Sequence, residues 1–251
     1  RFVPTAHERL TPTVLARMLS ARTRVVAVSW VGFLDGYRHD LAGLAAVAHR
    51  GGAWLCVDAI QGLGVLPCDV DALGIDALYA GTGKWLLGLA GLGLLYLRDD
   101  LQAVVQPRWR GWRDVADIWD DFNYDQPLAQ GAQRYEGGTL NFLGVHALLA
   151  SLDVLEAAEI GRIGAHVLAL TDTLVDGLLS IGVEIVSERG AAASGIVTFR
   201  LAGRDCVATG ERLAAAGIVV TARPSGIRVS PHGYNTLAEI AALIDALGAL
   251  C

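Results

Sequence analysis

Two side chains with complementary chemistry stand at the ends of two successive apolar segments of this sequence. Asp58 closes the segment 54–58, and Lys84 follows the segment 76–80 after a Gly-Thr-Gly sequence. A lysine amine forms a Schiff base with an aldehyde cofactor, and a carboxylate keeps a pyridine nitrogen protonated so that the ring acts as an electron sink. The pair therefore predicts a site for pyridoxal 5'-phosphate, with Lys84 as the Schiff-base residue and as the base that moves the α-proton.

Two further side chains could hold the same cofactor. Gln61 lies three residues after Asp58 and could donate a hydrogen bond to the phenolic oxygen of the ring. Thr82 could bind phosphate through its hydroxyl and N–H, with Gly81 and Gly83 letting the backbone approach closely. Each residue also has a structural alternative, because an aspartate after a strand often caps a helix and a single lysine is usually a solvated charge. The prediction therefore rests on the residues taken together.

Two segments nearer the C-terminus carry candidate anion-binding residues. Arg228 lies inside the apolar run 227–230, where a buried guanidinium needs an anion. A substrate carboxylate fits its bidentate fork, and an intramolecular salt bridge is the alternative. Thr139 precedes a predicted helix, so it could cap that helix or offer its hydroxyl and N–H to a phosphate.

Composition limits the classes of function. With 251 residues, 53% of them hydrophobic and 18% charged, the chain is globular and long enough to bury a core. A net charge of −6 provides no basic surface for nucleic acid. The most apolar stretch, 85–96, is shorter than the roughly 20 residues of a membrane span and predicts buried core instead. Four cysteines without CxxC spacing predict reduced thiols and a cytoplasmic protein: Cys56, Cys68, Cys206 and Cys251.

Alternating elements are predicted to position these residues. Strand-like runs alternate with helix-like runs between residues 24 and 97, which predicts an α/β fold with a mostly parallel sheet sandwiched by helices. Ligands of such sheets sit outside the carboxyl ends of the strands, so Asp58 and Lys84 are expected to share one crevice. Residues 99–136 predict a loop-rich excursion whose tryptophans shape a side-chain pocket or belong to the core: Trp109, Trp112 and Trp119.

Four segments together resemble the class V aminotransferases. This fold-type I pyridoxal-phosphate family includes cysteine desulfurases, selenocysteine lyases and isopenicillin N epimerase-like proteins. The segments are VSWVGFLDGYRHDL, VDAIQGLGVLPCDVDALGIDALYAGTGKWLLG, RYEGGTLN and IRVSPHGYNTLAEI. The resemblance implies a partial cofactor-binding large domain over residues 1–150, whose N-terminal part precedes Arg1, and a small α+β domain over residues 151–251. A fragment of a longer protein is expected.

The resemblance also implies roles for single residues and a homodimer with its active site at the interface. Lys84 is the implied Schiff-base lysine, Asp58 the partner of the ring nitrogen and Gln61 the contact of the ring oxygen. Thr139 is expected to reach the phosphate of the cofactor in the partner subunit. Arg228 is expected to hold the carboxylate of a small amino-acid substrate.

The sequence departs from the family pattern at several points. Gly83 stands where the family often has histidine, and Phe33 is nearest to its usual asparagine. No cysteine lies between Val220 and Arg228, which disfavours a persulfide-forming desulfurase and leaves β-lyase, epimerase or aminotransferase activity. The rival interpretation is a cofactor-free or truncated relative that serves as a binding or assembly module. A weaker rival is a phosphate binder that uses the 81–83 turn.

Overall fold

A computed structural model describes residues 2–3 and 8–249 of the chain, so Cys251 lies outside the described residues. The chain forms two compact units. The first comprises Arg1–Val28, Leu41–Asp58 and Asp69–Ser151, and the second comprises Ser29–Asp40, Ala59–Cys68 and Leu152–Cys251. The domain boundary predicted from the sequence, after residue 150, places the two early segments of the second unit in the first domain.

The first unit is built on a four-stranded sheet with the order β1-β2-β3-β4. Its strands are β1 (Val25–Ser29), β2 (Trp54–Asp58), β3 (Ala77–Gly81) and β4 (Gly93–Leu97). Its short helices are α1 (Pro12–Met18), α2 (Leu41–Arg50) and α3 (Asp99–Val104). Strands β2 and β3 pair in parallel, whereas β4 is an antiparallel edge strand. The predicted α/β fold with a mostly parallel sheet is confirmed.

Alternation along the strands sorts the two faces of this sheet. Leu55, Val57 and Leu78 are at most 3% exposed, and helix α2 contacts β2. On the other face Tyr79 and Leu95 are 46% and 48% exposed, whereas Ala77 and Leu97 are buried against Leu101 of α3. One face is therefore core, and the other is open in part.

The apolar stretch 85–96 is only partly the buried core that its composition predicts. Trp85 and Leu86 are 5% exposed, but Leu87 and Leu89 are 39% and 46% exposed. Glycines break the stretch into a turn followed by an edge strand, so its side chains do not share one buried side.

The long helix α4 (Phe142–Ala158) begins in the first unit and ends in the second. The second unit continues with three helices, α5 (Ile160–Ser180), α6 (Cys206–Ala215) and α7 (Leu237–Gly248). Its strands are β5 (Glu184–Ile185), β6 (Val197–Arg200), β7 (Thr221–Arg223) and β8 (Gly226–Val229). They form an antiparallel sheet with the order β5-β6-β8-β7.

The core of the second unit lies between this sheet and its helices. Phe199 and Ile227 face each other across β6 and β8 and are fully buried with side chains of α5, α6 and α7. Helix α5 is long and apolar enough to cross a membrane by length and composition alone. Its buried face belongs to this core, since Leu170, Leu174 and Leu178 are at most 1% exposed.

Candidate functional site

Asp58 and Lys84 emerge at the same edge of the first sheet. Strand β2 ends at Asp58, which pairs in register with Tyr79 of the parallel strand β3. Strand β3 ends at Gly81, and Lys84 follows three residues later as an exposed side chain. Because the carboxyl ends of parallel strands meet at one edge, the structure brings the two predicted residues to one side of the sheet.

Two neutral donors accompany Asp58 on the open face of the sheet. Burial raises the pKa of the Tyr79 hydroxyl, and the charges of Asp58 and Cys56 raise it further. Burial and the charge of Asp76 likewise raise the pKa of the Cys56 thiol. Both groups therefore stay protonated at neutral pH and can donate hydrogen bonds on this face. Sequence reasoning missed both residues, although the alternation of β2 and β3 places them on this face.

Thr82 braces the loop that carries Lys84. Its hydroxyl lies 2.9 Å from the Leu89 carbonyl oxygen and 3.2 Å from that of Leu92, and its N–H donates to the Leu92 carbonyl at 3.1 Å. The Gly88 N–H in turn donates to the Thr82 carbonyl at 2.9 Å. A threonine has only these two donors, so the predicted phosphate contact requires the loop bonds to break. That contact stays a prediction.

The same loop has little room for larger side chains. A Cβ at Gly88 would lie 2.9 Å from the Cβ of Thr82, closer than real Cβ contacts. Leu87, directly before it, has a φ of 57°, which is rare for a residue other than glycine. Thr82 and Gly88 thus fix the loop between Lys84 and β4.

Thr139 precedes α4, but Asn141 caps the helix. The Asn141 side-chain oxygen accepts the N–H of Gly144 at 2.9 Å, so the capping alternative for Thr139 is wrong. Thr139 is exposed, and its hydroxyl has no hydrogen-bond partner among the described residues. It remains available for the predicted phosphate contact. The signal for the cap was present, because asparagine before an apolar helical run is a preferred N-cap.

Contacts on both sides of Thr139 anchor this segment within the first unit. The Tyr135 hydroxyl donates to the Val105 carbonyl at 2.9 Å. The Asn141 amide contacts the Gly91 carbonyl at 3.5 Å, and the Ser151 hydroxyl donates to the Leu87 carbonyl at 2.8 Å. The start of α4 is thereby joined to the loop that follows Lys84.

Gln61 belongs to the second unit. It is 7% exposed and sits in a turn closed by the Gly62 N–H, which donates to the Ala59 carbonyl at 2.9 Å. Gly62 lies under the ring of Trp30, where a Cβ would come within 2.7 Å of the indole. Packing therefore fixes the backbone beside Gln61, and its contact with the cofactor stays a prediction.

Arg228 also belongs to the second unit, on strand β8. Its Nη1 donates to the Phe33 carbonyl at 2.8 Å and its Nη2 to the Thr221 hydroxyl at 3.2 Å, while its Nε is buried without a partner. Burial, and then the charge of Arg223, lower the pKa of Arg228. No carboxylate among the described residues pairs with it, so nothing there supports the salt-bridge alternative. The guanidinium keeps hydrogen-bonding capacity for an anion.

The excursion after α3 encloses a cavity of its own. The cavity measures about 350 Å³, and Trp112, Ile118 and Tyr124 are among its lining residues. Asp114 at its wall is 1% exposed and accepts hydrogen bonds from Arg110 Nε at 3.0 Å and from the Gly111 N–H at 2.9 Å. The excursion thus forms a pocket, whereas its use for a substrate side chain stays a prediction.

Trp109, Trp112 and Trp119 are 52% or more exposed, so the core alternative for them is wrong.

The donor set fits pyridoxal phosphate. It offers an exposed primary amine and a carboxylate at one sheet edge, and a hydroxyl without a partner at Thr139. In the second unit it offers the Arg228 guanidinium with its unpartnered buried Nε. These are the groups required for an aldehyde, a pyridine nitrogen, a phosphate and a substrate carboxylate.

Comparisons with known proteins agree with this chemistry. Residues 1–243 match the family described as aminotransferase class V. An uncharacterized aminotransferase of Bacillus subtilis (strain 168) is 31% identical over 92% of this chain and 60% of its own length. A probable cysteine desulfurase of Methanothermobacter thermautotrophicus is 30% identical over 90% and 60%.

Solved structures also resemble this chain. The cystine C–S lyase C-DES, in complex with its product cysteine persulfide, superposes with a TM-score of 0.89 at 26% identity, covering 99% of this chain and 68% of that one. A Lys-to-Ala mutant of C-DES carries glycine covalently linked to its pyridoxal-phosphate cofactor. The chain spans about 60% of the length of the curated relatives it matches.

Proposed function

Because the chain belongs to the class V aminotransferase family, we propose that it is part of a pyridoxal-phosphate-dependent enzyme that acts on an α-amino acid. The parallel register of β2 and β3 is the observation that carries the proposal, because it puts Asp58 and the exposed Lys84 at one edge of the sheet. Lys84 is also the only lysine among the 20 Lys and Arg residues of the chain. A chain that otherwise uses arginine as its basic residue has a lysine where an amine nucleophile is needed.

Each residue then has a separate task. The bound cofactor supplies an electron sink for the bond that breaks at the α-carbon. Lys84 holds the cofactor covalently through Nζ and moves the α-proton, while Asp58 keeps the proton on the ring nitrogen. Gln61 contacts the ring oxygen, and Arg228 orients the substrate carboxylate. Thr139, with its unengaged hydroxyl, serves the cofactor phosphate of a second subunit in a homodimer.

The reaction class follows from where the cysteines lie. The β7–β8 hairpin is closed by Pro224 and Ser225 and offers no thiol for sulfur transfer. Cys206 is 6% exposed within the core of the second unit, so it is no substitute for an accessible nucleophile. The proposal is therefore β-lyase, epimerase or aminotransferase activity. The lyase name of C-DES favours the first of these.

Covalent loading at Lys84 tests the proposal directly. After incubation with pyridoxal phosphate, we expect a visible absorbance band and, after borohydride reduction, a mass adduct in the peptide that contains Lys84. Since Lys84 is the only lysine of these 251 residues, no other lysine side chain among them competes for the adduct. Lys84→Ala should abolish it, and Lys84→Arg should do the same while keeping the charge.

Asp58→Asn separates cofactor binding from chemistry. The variant should still form the adduct, but α-proton exchange of a bound amino acid should fall by about 100-fold or more, since a neutral amide does not hold the pyridinium proton. Asp153→Asn, an exposed change in α4, is the matched control. Undiminished exchange in Asp58→Asn would refute the assigned role.

A binding or assembly module without cofactor is the second candidate. Gly83, which lacks the side chain frequent at this family position, favours it. Absence of both the band and the adduct would support this alternative over the enzyme.

A further inference from the structure

Arg223 and Arg228 lie on the two strands of one tight hairpin. In the antiparallel pair of β7 and β8, Arg223 is opposite Gly226 and Thr221 is opposite Arg228. Opposite residues share a face of the sheet, so Arg223 and Arg228 are diagonal neighbours on the same face, within reach of long side chains. The hairpin therefore places two guanidinium groups side by side.

Packing prevents these side chains from exchanging faces. Ile227 on the reverse face is fully buried in the core of the second unit, and Ala222 packs against that core. Gly226, opposite Arg223, has a φ of 151°, and a Cβ there would lie 2.9 Å from the Phe199 carbonyl oxygen. Glycine is thus required at this position, and no side chain occupies the space opposite Arg223.

Phe33 connects the two arginines. Its carbonyl accepts Arg228 Nη1 at 2.8 Å, and the Arg223 guanidinium carbon lies 5.6 Å from the centre of its ring. Asp35 on the same turn accepts the Tyr37 N–H at 3.2 Å. Neither arginine has a carboxylate partner among the described residues. Two nearby like charges without a counter-ion are repulsive, and a bound dianion relieves that repulsion.

Both guanidinium groups keep N–H donors for a ligand. An arginine carries five N–H groups, and the structure uses one on each terminal nitrogen of Arg228. One carboxylate can occupy the remaining donors of Arg228. Arg223, which is exposed and stacked on Phe33, then remains for a second anionic group.

We propose that Arg223 and Arg228 form a dianion site, so that the enzyme prefers α-amino acids whose side chain ends in a second acidic group. This inference rests on the proposed function in one respect: Arg228 holds the α-carboxylate. Arg223 is then the specificity-determining residue, and it binds the distal acid.

Binding of two matched probes tests the site without turnover. Succinate and butyrate have the same number of carbons and differ in one carboxylate. By isothermal titration to the purified, cofactor-loaded protein, succinate should bind about tenfold more tightly than butyrate, as one added charge-assisted interaction predicts. Arg223→Gln should reduce this ratio to near one by weakening succinate alone. Arg212→Gln, an exposed change in α6, should leave the ratio unchanged.

The charge and the geometry of Arg223 can also be separated. Arg223→Lys keeps the charge but loses the planar fork, so it should restore part of the ratio. Equal affinity for the two probes in the unmodified protein, or a ratio that Arg223→Gln leaves intact, would overturn the proposal. If no Lys84 adduct forms, but the protein as purified keeps the ratio and its dependence on Arg223, the enzyme proposal alone is overturned.

Discussion

The two four-stranded sheets of this protein differ most in their outer faces. In the second unit, polar side chains of that face meet carbonyl groups of one segment: Thr198 donates to the Leu34 carbonyl at 2.6 Å, and Arg228 donates to that of Phe33. In the first unit, the corresponding face carries exposed apolar side chains beside Asp58 and Tyr79, with Val25 49% and Leu95 48% exposed. The polar groups of the second sheet are thus satisfied within its own unit, whereas the first sheet has exposed apolar side chains.

Buried carboxylates are also distributed unequally between the two units. Among the described residues, the two buried carboxylates, Asp76 and Asp114, both belong to the first unit. The second unit buries only uncharged polar groups and one histidine within that part of the chain. Both units have apolar cores, and the first also buries carboxylates that are paired with basic side chains.

The largest expected effect is loss of packing in the second unit. Phe199→Ala removes a fully buried ring from the core and should lower the free energy of unfolding by about 3–5 kcal/mol. Leu95→Ala on the open sheet should change it by no more than about 0.5 kcal/mol. Hydrogen exchange at amides of β6 and β3 reports the two units separately. Equal losses for the two substitutions would mean that the open face is covered in solution.

A somewhat smaller effect is expected from the buried carboxylate of the first unit. Asp76 accepts the Leu55 N–H at 2.6 Å and the His49 ring nitrogen at 2.8 Å, and it pairs with Arg98. Asp76→Ala should cost about 3 kcal/mol, because Arg98 and the Leu55 N–H lose their partner. Arg162→Ala, which removes an exposed pair, is the control and should cost no more than about 0.5 kcal/mol. Exchange protection in β2 should fall while that in β8 does not.

Local pattern predicted most of the elements. The strand-like runs predicted between residues 24 and 97 correspond to β1 to β4, and the ends of β2 and β3 place Asp58 and Lys84 at one edge. The apolar run 218–221 favours a strand by composition, but β7 runs from Thr221 to Arg223. The two-residue turn at Pro224 and Ser225 sets this register, and it outweighs the apolar character of the residues before it.

Contacts distant in sequence were not predictable in the same way. The hydroxyl of Thr82 is directed to carbonyls seven and ten residues away, which no local pattern reveals. The segment Ser29–Asp40 joins the second unit because strand β6, over 150 residues later, presents hydrogen-bond donors to it. The pairing of Arg223 with Arg228 likewise depends on the register of the hairpin.

Helix caps provide a smaller and matched test of the two units. Thr236 caps α7 by accepting the Glu239 N–H at 3.3 Å, and Asn141 caps α4 by accepting the Gly144 N–H at 2.9 Å. Thr236→Ala and Asn141→Ala should each cost about 1 kcal/mol. Thr236→Ser keeps the hydroxyl and should therefore be nearly as stable as the unmodified protein. We expect the loss of exchange protection to be largest around the start of the substituted helix, and an equal loss throughout both units would contradict this.

The smallest expected effect is a dependence on pH that belongs to the second unit. The Glu239 carboxylate accepts the Thr236 N–H at 2.7 Å, and this backbone hydrogen bond, followed by the Thr236 hydroxyl, lowers the pKa of Glu239. A carboxyl group with a pKa lower in the folded than in the unfolded state stabilises the fold above its unfolded pKa of about 4.3, and the contribution is lost as pH falls through the folded pKa. Glu239→Gln should therefore be less stable than the unmodified protein at pH 7, and the difference should shrink towards pH 3. The difference between Glu239→Gln and the unmodified protein should appear in hydrogen exchange at the start of α7. Hydrogen exchange at the start of α4 should show no such difference. A constant difference between pH 7 and pH 3 would mean that the carboxylate charge has no part in the cap.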